Sequence, residues 1–119
     1  MGASGVAVTA AGIGGATAVS HTLNGITYRT FTLPRAEVHR ATLRALARME
    51  IKVTGTSKDS EGAEVITAVA HDREITVTLE ALSANATRMK VIARNGGIFY
   101  DSATATEIIL QTGRGLGVA

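Results

Sequence analysis

Cysteine and tryptophan are absent from the chain, and proline occurs once, as Pro34. Without cysteine there is no disulfide framework, no thiolate metal site and no cysteine nucleophile, whatever the redox compartment. Aromatic side chains are restricted to Tyr28, Phe31, Phe99 and Tyr100. So small a set argues against a surface that stacks on bases or sugars. Charge is scarce too. Asp, Glu, Lys and Arg are missing from residues 1–28, and the whole chain carries 12 Lys+Arg against 10 Asp+Glu. The resulting formal charge of +2 is scattered, so the pI of about 9.4 does not amount to a nucleic-acid footprint.

What is present is small and aliphatic. The 119 residues include 20 Ala, 16 Thr and 13 Gly, and 45% of the chain is hydrophobic. This length suits one domain that buries roughly two thirds of its unfolded surface. Its core must rely on Val, Ile and Leu. Residues 1–25 read as an uncharged Gly/Ala-rich leader, tether or assembly arm, and residues 26–119 as a single α+β domain. The leader is too weakly hydrophobic for a spanning helix, which needs about 20 mostly apolar residues. It lacks the basic start of an intact signal peptide, and Val6 stands where myristoylation requires Ser or Thr. The expectation is a mature chain whose export signal has been removed.

Periodicity organises the rest. Ile26–Leu33 reads as a strand, rich in Thr, Tyr and Phe. Pro34 suits the first position of a helix running to about Met49, with Val38, Ala41, Thr42, Ala45, Leu46 and Met49 as its buried stripe. Four alternating segments follow. The first is Ile51–Ser57. The second shares Ala63, Val65, Thr67 and Val69 on one face. The third carries Ile75, Val77, Leu79 and Ala81 inward, and the fourth Met89, Val91 and Ala93. Leu79 and Met89 must face the same side, so paired numbers in the last hairpin sum to an even value. That requires an odd loop, most simply of three residues, and sets Glu80 against Arg88 or Lys90 and Glu74 near Arg94. Asp101 is a suitable cap for a second helix from Ser102 to about Thr112, ended by Gly113, Gly115 and Gly117. The expected architecture is an antiparallel sheet of four to five strands with two helices on one face, in the order β-α-β-β-β-β-α.

No constellation of residues specifies a reaction. His21, His39 and His71 lack the i, i+4 spacing of a helical metal site and read as surface residues. Gly12-Ile13-Gly14-Gly15-Ala16-Thr17 departs from the dinucleotide fingerprint at Thr17, and no acidic residue follows at the required distance. Expected catalytic residues, metal ligands and cofactors are therefore none. Arg40, Arg44 and Arg48 recur at i, i+4 and i+8; they form either a grip on an anionic partner or, the favoured reading, a solvated face. Phe31, Leu46, Phe99 and Ile109 are candidates for an apolar pocket between helices and sheet, with core packing the favoured alternative for the aromatics. Val6, Val8, Ile13 and Val19 are candidates for an assembly arm, received by Ile66 and Ile92 on the outward sheet face.

Gly25, Pro34, Val38, Ala41, Ala45-Leu46 and Ile51-Lys52-Val53 resemble the opening of a family of small bacterial envelope lipoproteins, catalogued only as a domain of unknown function. Gly96-Gly97-Ile98-Phe99-Tyr100-Asp101 with Ile108-Ile109-Leu110 resembles that family's closing turn and last helix. The resemblance covers about residues 20–116. It implies a periplasmic location, with an outer-membrane anchor if the N-terminus is lipidated. Met1-Gly2 stands here in place of the family's lipobox cysteine. The resemblance brings no catalytic residues. Three roles follow as expectations. The first is a non-enzymatic accessory or interaction domain of the envelope, near a membrane through its N-terminus, with protein partners or self-association and no nucleic acid. The second is a carrier of a small apolar ligand or lipid, and the third a self-assembling subunit that uses the arm.

Overall fold

A computed structural model describes residues 21–23, 25–96 and 99–118. The leader residues Val6, Val8, Ile13 and Val19 lie outside the described residues. The elements run β1 (His21–Leu23), β2 (Ile26–Phe31), α1 (Arg35–Arg48), β3 (Lys52–Lys58), β4 (Glu64–Ala70), β5 (Arg73–Ser83), β6 (Ala86–Asn95), β7 (Phe99–Tyr100) and α2 (Ser102–Gly115). All strand pairs are antiparallel, in the order β1-β2-β6-β5-β4-β3, with β7 on β6. The fold is the α+β sandwich expected, enlarged by two short strands. One of these, β1, takes His21–Leu23 out of the leader and pairs it with β2, so the folded body reaches back at least to His21.

Two helices cover one face of the sheet. β3 to β6 form a meander, and α1 is the crossover that carries the chain from β2 to the far edge. It buries Val38, Ala41, Thr42, Ala45 and Leu46, while α2 buries Ala105, Ile108, Ile109, Thr112 and Gly113. The two buried threonines return their hydroxyl protons to the carbonyls of Val38 and Ile108, one turn back, both at 2.8 Å. Small residues keep the helices close, with Ala41 facing Gly115.

Each helix ends in the same device. In α2, Val118 N–H bonds Gly113 O at 2.9 Å and Gly117 N–H bonds Arg114 O at 3.1 Å, with Gly117 at φ +78°. This is a Schellman motif. In α1, Ile51 N–H bonds Leu46 O at 2.9 Å and Glu50 N–H bonds Ala47 O at 3.1 Å, but the left-handed position is Glu50, φ 60°. Of the three glycines expected to stop α2, only Gly117 does so. Gly113 is buried inside the last turn, where a side chain would collide with Arg29.

The register of β4 departs from expectation. Ile66 and Ala68 are buried, whereas Val69 is 39% exposed. Ile66 therefore belongs to the core and cannot receive an arm on the outward face. The cause is the two-residue turn His71-Asp72, which sets Ala70 against Arg73 and hence Ile66 against Val77. A one-residue slip exchanges the faces of a whole strand. The β5–β6 hairpin follows the expected parity: Leu79 pairs Met89, Glu80 pairs Arg88 and Glu74 pairs Arg94. The odd residue is not in a three-residue loop, however. It sits in a register shift between Ala81 and Ser83, ahead of the turn Ala84-Asn85.

Candidate functional site

One cross-strand row on the helix-covered face reads Lys58, Glu64, Leu79, Met89, Arg29. Its middle is core, since Leu79 and Met89 have no exposed surface. Its two ends carry charge, and both lie beneath helices.

At the β3 end, Asp59 organises the hairpin loop by accepting the amides of Glu61 and Ala63 at 2.9 and 3.0 Å. The first turns of α1 close over this hairpin. Arg35 Nη1 donates to Gly62 O at 3.1 Å, and its Nε lies 3.5 Å from Glu64. One helical turn on, the His39 imidazole meets Glu64 Oε1 at 2.8 Å through Nδ1. An ionised carboxylate can only accept, so Nδ1 carries the proton and Nε2 is left for other partners. His39 is thus a positioned histidine with a 25% exposed side chain, not a free surface residue. A cleft of about 220 Å³ opens beside it, lined by His39, Thr56, Ser57, Lys58 and Glu64.

At the β2 end, Arg29 is 8% exposed and its Nη1 is buried without a hydrogen-bond partner. Its guanidinium stacks on Phe31 at 4.5 Å, and a methyl group on Gly113 would fall 2.7 Å from Nη1. Burial pushes its pKa below the usual guanidinium value. Gly113 lies in the C-terminal part of α2, and at that end the helix dipole favours a cation. Arg29 was not singled out from sequence, although alternation from Phe31 places it on the covered face.

A third polar group joins the sheet to α2. Asp101 Oδ1 accepts Thr104 N–H at 3.0 Å and Oδ2 accepts the Thr104 hydroxyl at 2.6 Å, while Arg73 Nε donates to the same carboxylate. The Thr104 hydroxyl, then Arg73, then the Thr104 amide hold the Asp101 pKa at about 2. This is a helix cap with an ion pair, and it needs no ligand to explain it.

The residues proposed from sequence do not assemble into one place. Phe31, Leu46 and Ile109 are core residues, whereas Phe99 is 69% exposed, so the four do not line a common apolar pocket. Tyr100 is also exposed, leaving Phe31 as the one aromatic in the core among the described residues. Arg40, Arg44 and Arg48 all lie on the exposed face of α1, and Arg48 donates to Gln111 O at 3.1 Å. On the open face of the sheet, Tyr100 ends a row of Val69, Glu74 and Arg94. Its ring lies 5.5 Å from the Arg94 guanidinium and against the backbone of Gly25, where a methyl group would fall 2.4 Å away. Gly25, at φ +80°, is required on both counts.

Among the described residues no group of three or more His, Cys, Asp or Glu is placed to hold a metal ion, and no helix is long and apolar enough to cross a membrane. A search of curated proteins finds no match. A family model described as a protein of unknown function, DUF3568, matches residues 1–111. The match spans the leader, the sheet and most of α2, and the chain belongs to that family.

Proposed function

We propose that the chain is a non-enzymatic accessory or interaction domain of the bacterial cell envelope, held near a membrane through its N-terminal segment and working in a larger assembly. The observation that carries this reading is the exposed corner at β7. Phe99 and Tyr100 are 69% and 51% exposed, in a chain with only four aromatic residues. Tyr100 ends a row on the open sheet face and packs on Gly25 in the turn that follows β1, and Phe99 precedes it on the same short strand. Aromatics and arginine are the side chains that anchor protein interfaces, and Arg94 lies beneath Tyr100. The envelope address rests on the resemblance to envelope lipoproteins.

A photo-crosslinking side chain at position 99, in a native host, tests the reading. A discrete adduct in the membrane fraction, absent when the same group replaces Glu61, is the expected result. A chain recovered free in the cytosol with no adduct would overturn it.

Self-assembly through the N-terminal segment is a second reading, favoured by one observation: β1 is the edge strand on the side from which residues 1–20 enter. An added strand could extend the sheet there. The opposite edge, β3, is less suited, because Lys52, Lys58 and a register shift between Val53 and Gly55 interrupt it. Light scattering on the full chain and on one lacking residues 1–20 separates the two; identical monomeric masses would reject self-assembly.

A further inference from the structure

The cleft over the β3–β4 hairpin contains donors that the fold does not use. Glu64 is occupied by Arg35 and His39, and Arg35 is further tied to Gly62. That leaves the Lys58 ammonium, the Thr56 hydroxyl and His39 Nε2 lining the same space. None of these has a hydrogen bond or ion pair to another described residue. Charge is also unbalanced. Arg35 and Lys58 face the single carboxylate of Glu64, so the cleft is already cationic with a neutral imidazole, and more so when His39 is protonated.

We propose that this cleft binds a small oxyanion, a phosphate or carboxylate group, through Lys58, the Thr56 hydroxyl and the Nε2–H of protonated His39. The site is independent of the interaction role proposed for the β7 corner, because β7 pairs with β6 and the cleft is built on β3, β4 and α1. Glu64 fixes the imidazole by its Nδ1 proton in either charge state. In the neutral ring Nε2 offers a lone pair, which repels an oxyanion. In the protonated ring it offers a donor, and a hydrogen bond between two ionised groups is the stronger kind. Binding therefore takes up a proton and tightens as pH falls. The other charged groups around the ring are Arg35 on its own helix, Glu64 from β4 and Lys58 from β3.

The test is NMR titration of the full, uniformly labelled chain at constant ionic strength. Sulfate is the probe for pH dependence, because its own charge is constant between about pH 5.5 and about pH 8. Saturating shifts at the His39 ring and at the amides of residues 56–58 are expected, with affinity at least tenfold higher at the lower pH. Lys58→Ala should weaken binding at least tenfold, His39→Gln should remove its pH dependence, and Arg44→Ala should change neither. Inorganic phosphate and acetate, titrated separately at the lower pH, assign the anion class. Vesicles containing phosphatidic acid then separate the sources: broadening abolished by Lys58→Ala assigns a lipid headgroup, and binding of the free anion alone assigns a soluble ligand. Shifts that never saturate with any probe, or that persist unchanged in folded Lys58→Ala protein, would overturn the proposal.

Discussion

At the β3 end of the row Lys58–Glu64–Leu79–Met89–Arg29, the charge is answered by other charges. Glu64 keeps a quarter of its side-chain surface in solvent and gathers Arg35 and His39 around it. At the β2 end, Arg29 is sealed under α2 with Phe31 and Gly113 for neighbours and a donor left empty. The two ends lie on one face of one sheet, beneath equivalent helices. A partly solvated carboxylate with two donors loses little hydration and gains directed bonds. A sealed guanidinium loses its hydration and regains only a ring contact and the nearby helix terminus, which is a poor exchange for an ion. The paired end is therefore adjustable and open to ligands, whereas the buried end is fixed and structural.

Substitutions along the row sharpen this contrast. Leu79→Ala, in the apolar middle, should lower stability by about 3 kcal/mol in chemical denaturation, the usual effect of a large-to-small change in a core. Gly113→Ala should come next, at about 1–3 kcal/mol, because its methyl group meets Arg29 Nη1 and the Val118 carbonyl, both at 2.7 Å. Only the Arg29 side chain can yield there, so Arg29→Met combined with Gly113→Ala should recover part of the loss. Asp101→Ala should cost about 1 kcal/mol through the lost cap. Its carboxyl is held at about 2 against an ordinary 3.8. The stabilisation is thus complete above pH 3.8 and disappears as pH falls through about 2; acid melts of wild type and Asp101→Asn should converge over that window. Arg29→Met alone should leave the melting temperature unchanged or raise it; a loss above about 2 kcal/mol would show that the buried charge has a partner after all. Smallest of all, Glu80→Ala breaks an open-face pair with Arg88, half-exposed at 3.2 Å, and should change stability by less than about 0.5 kcal/mol.

The elements themselves were legible in the sequence because their periods are clean. Val38 to Leu46 keep helical spacing, and Ile75, Val77 and Leu79 alternate without a break. β4 was misread because both of its faces are apolar, with Val65 and Val69 on one side and Ile66 and Ala68 on the other. The turn His71-Asp72 held the answer, since a two-residue loop forces odd sums and sends Ile66 inward. The end of α1 was located without its mechanism, because a glutamate occupies the left-handed position that glycine normally marks. The cleft was hidden for a different reason. His39 and Glu64 are 25 residues apart, and each alone reads as an ordinary surface residue. Only the register that turns Glu64 toward α1 brings them together. Arg29 needed no such register; Phe31 two positions on already assigned its face.

The packing of Tyr100 on Gly25 has an optical consequence. The chain lacks tryptophan and has only two tyrosines, so no indole masks phenol emission. One of those two rings rests on the turn that joins β1 to β2. Any event that lifts β1 away from β2, whether proteolysis, partner binding or strand exchange, alters the surroundings of that ring. The protein thus contains its own fluorophore at the turn that holds its edge strand, and Tyr28→Phe would leave Tyr100 as the single reporter of it.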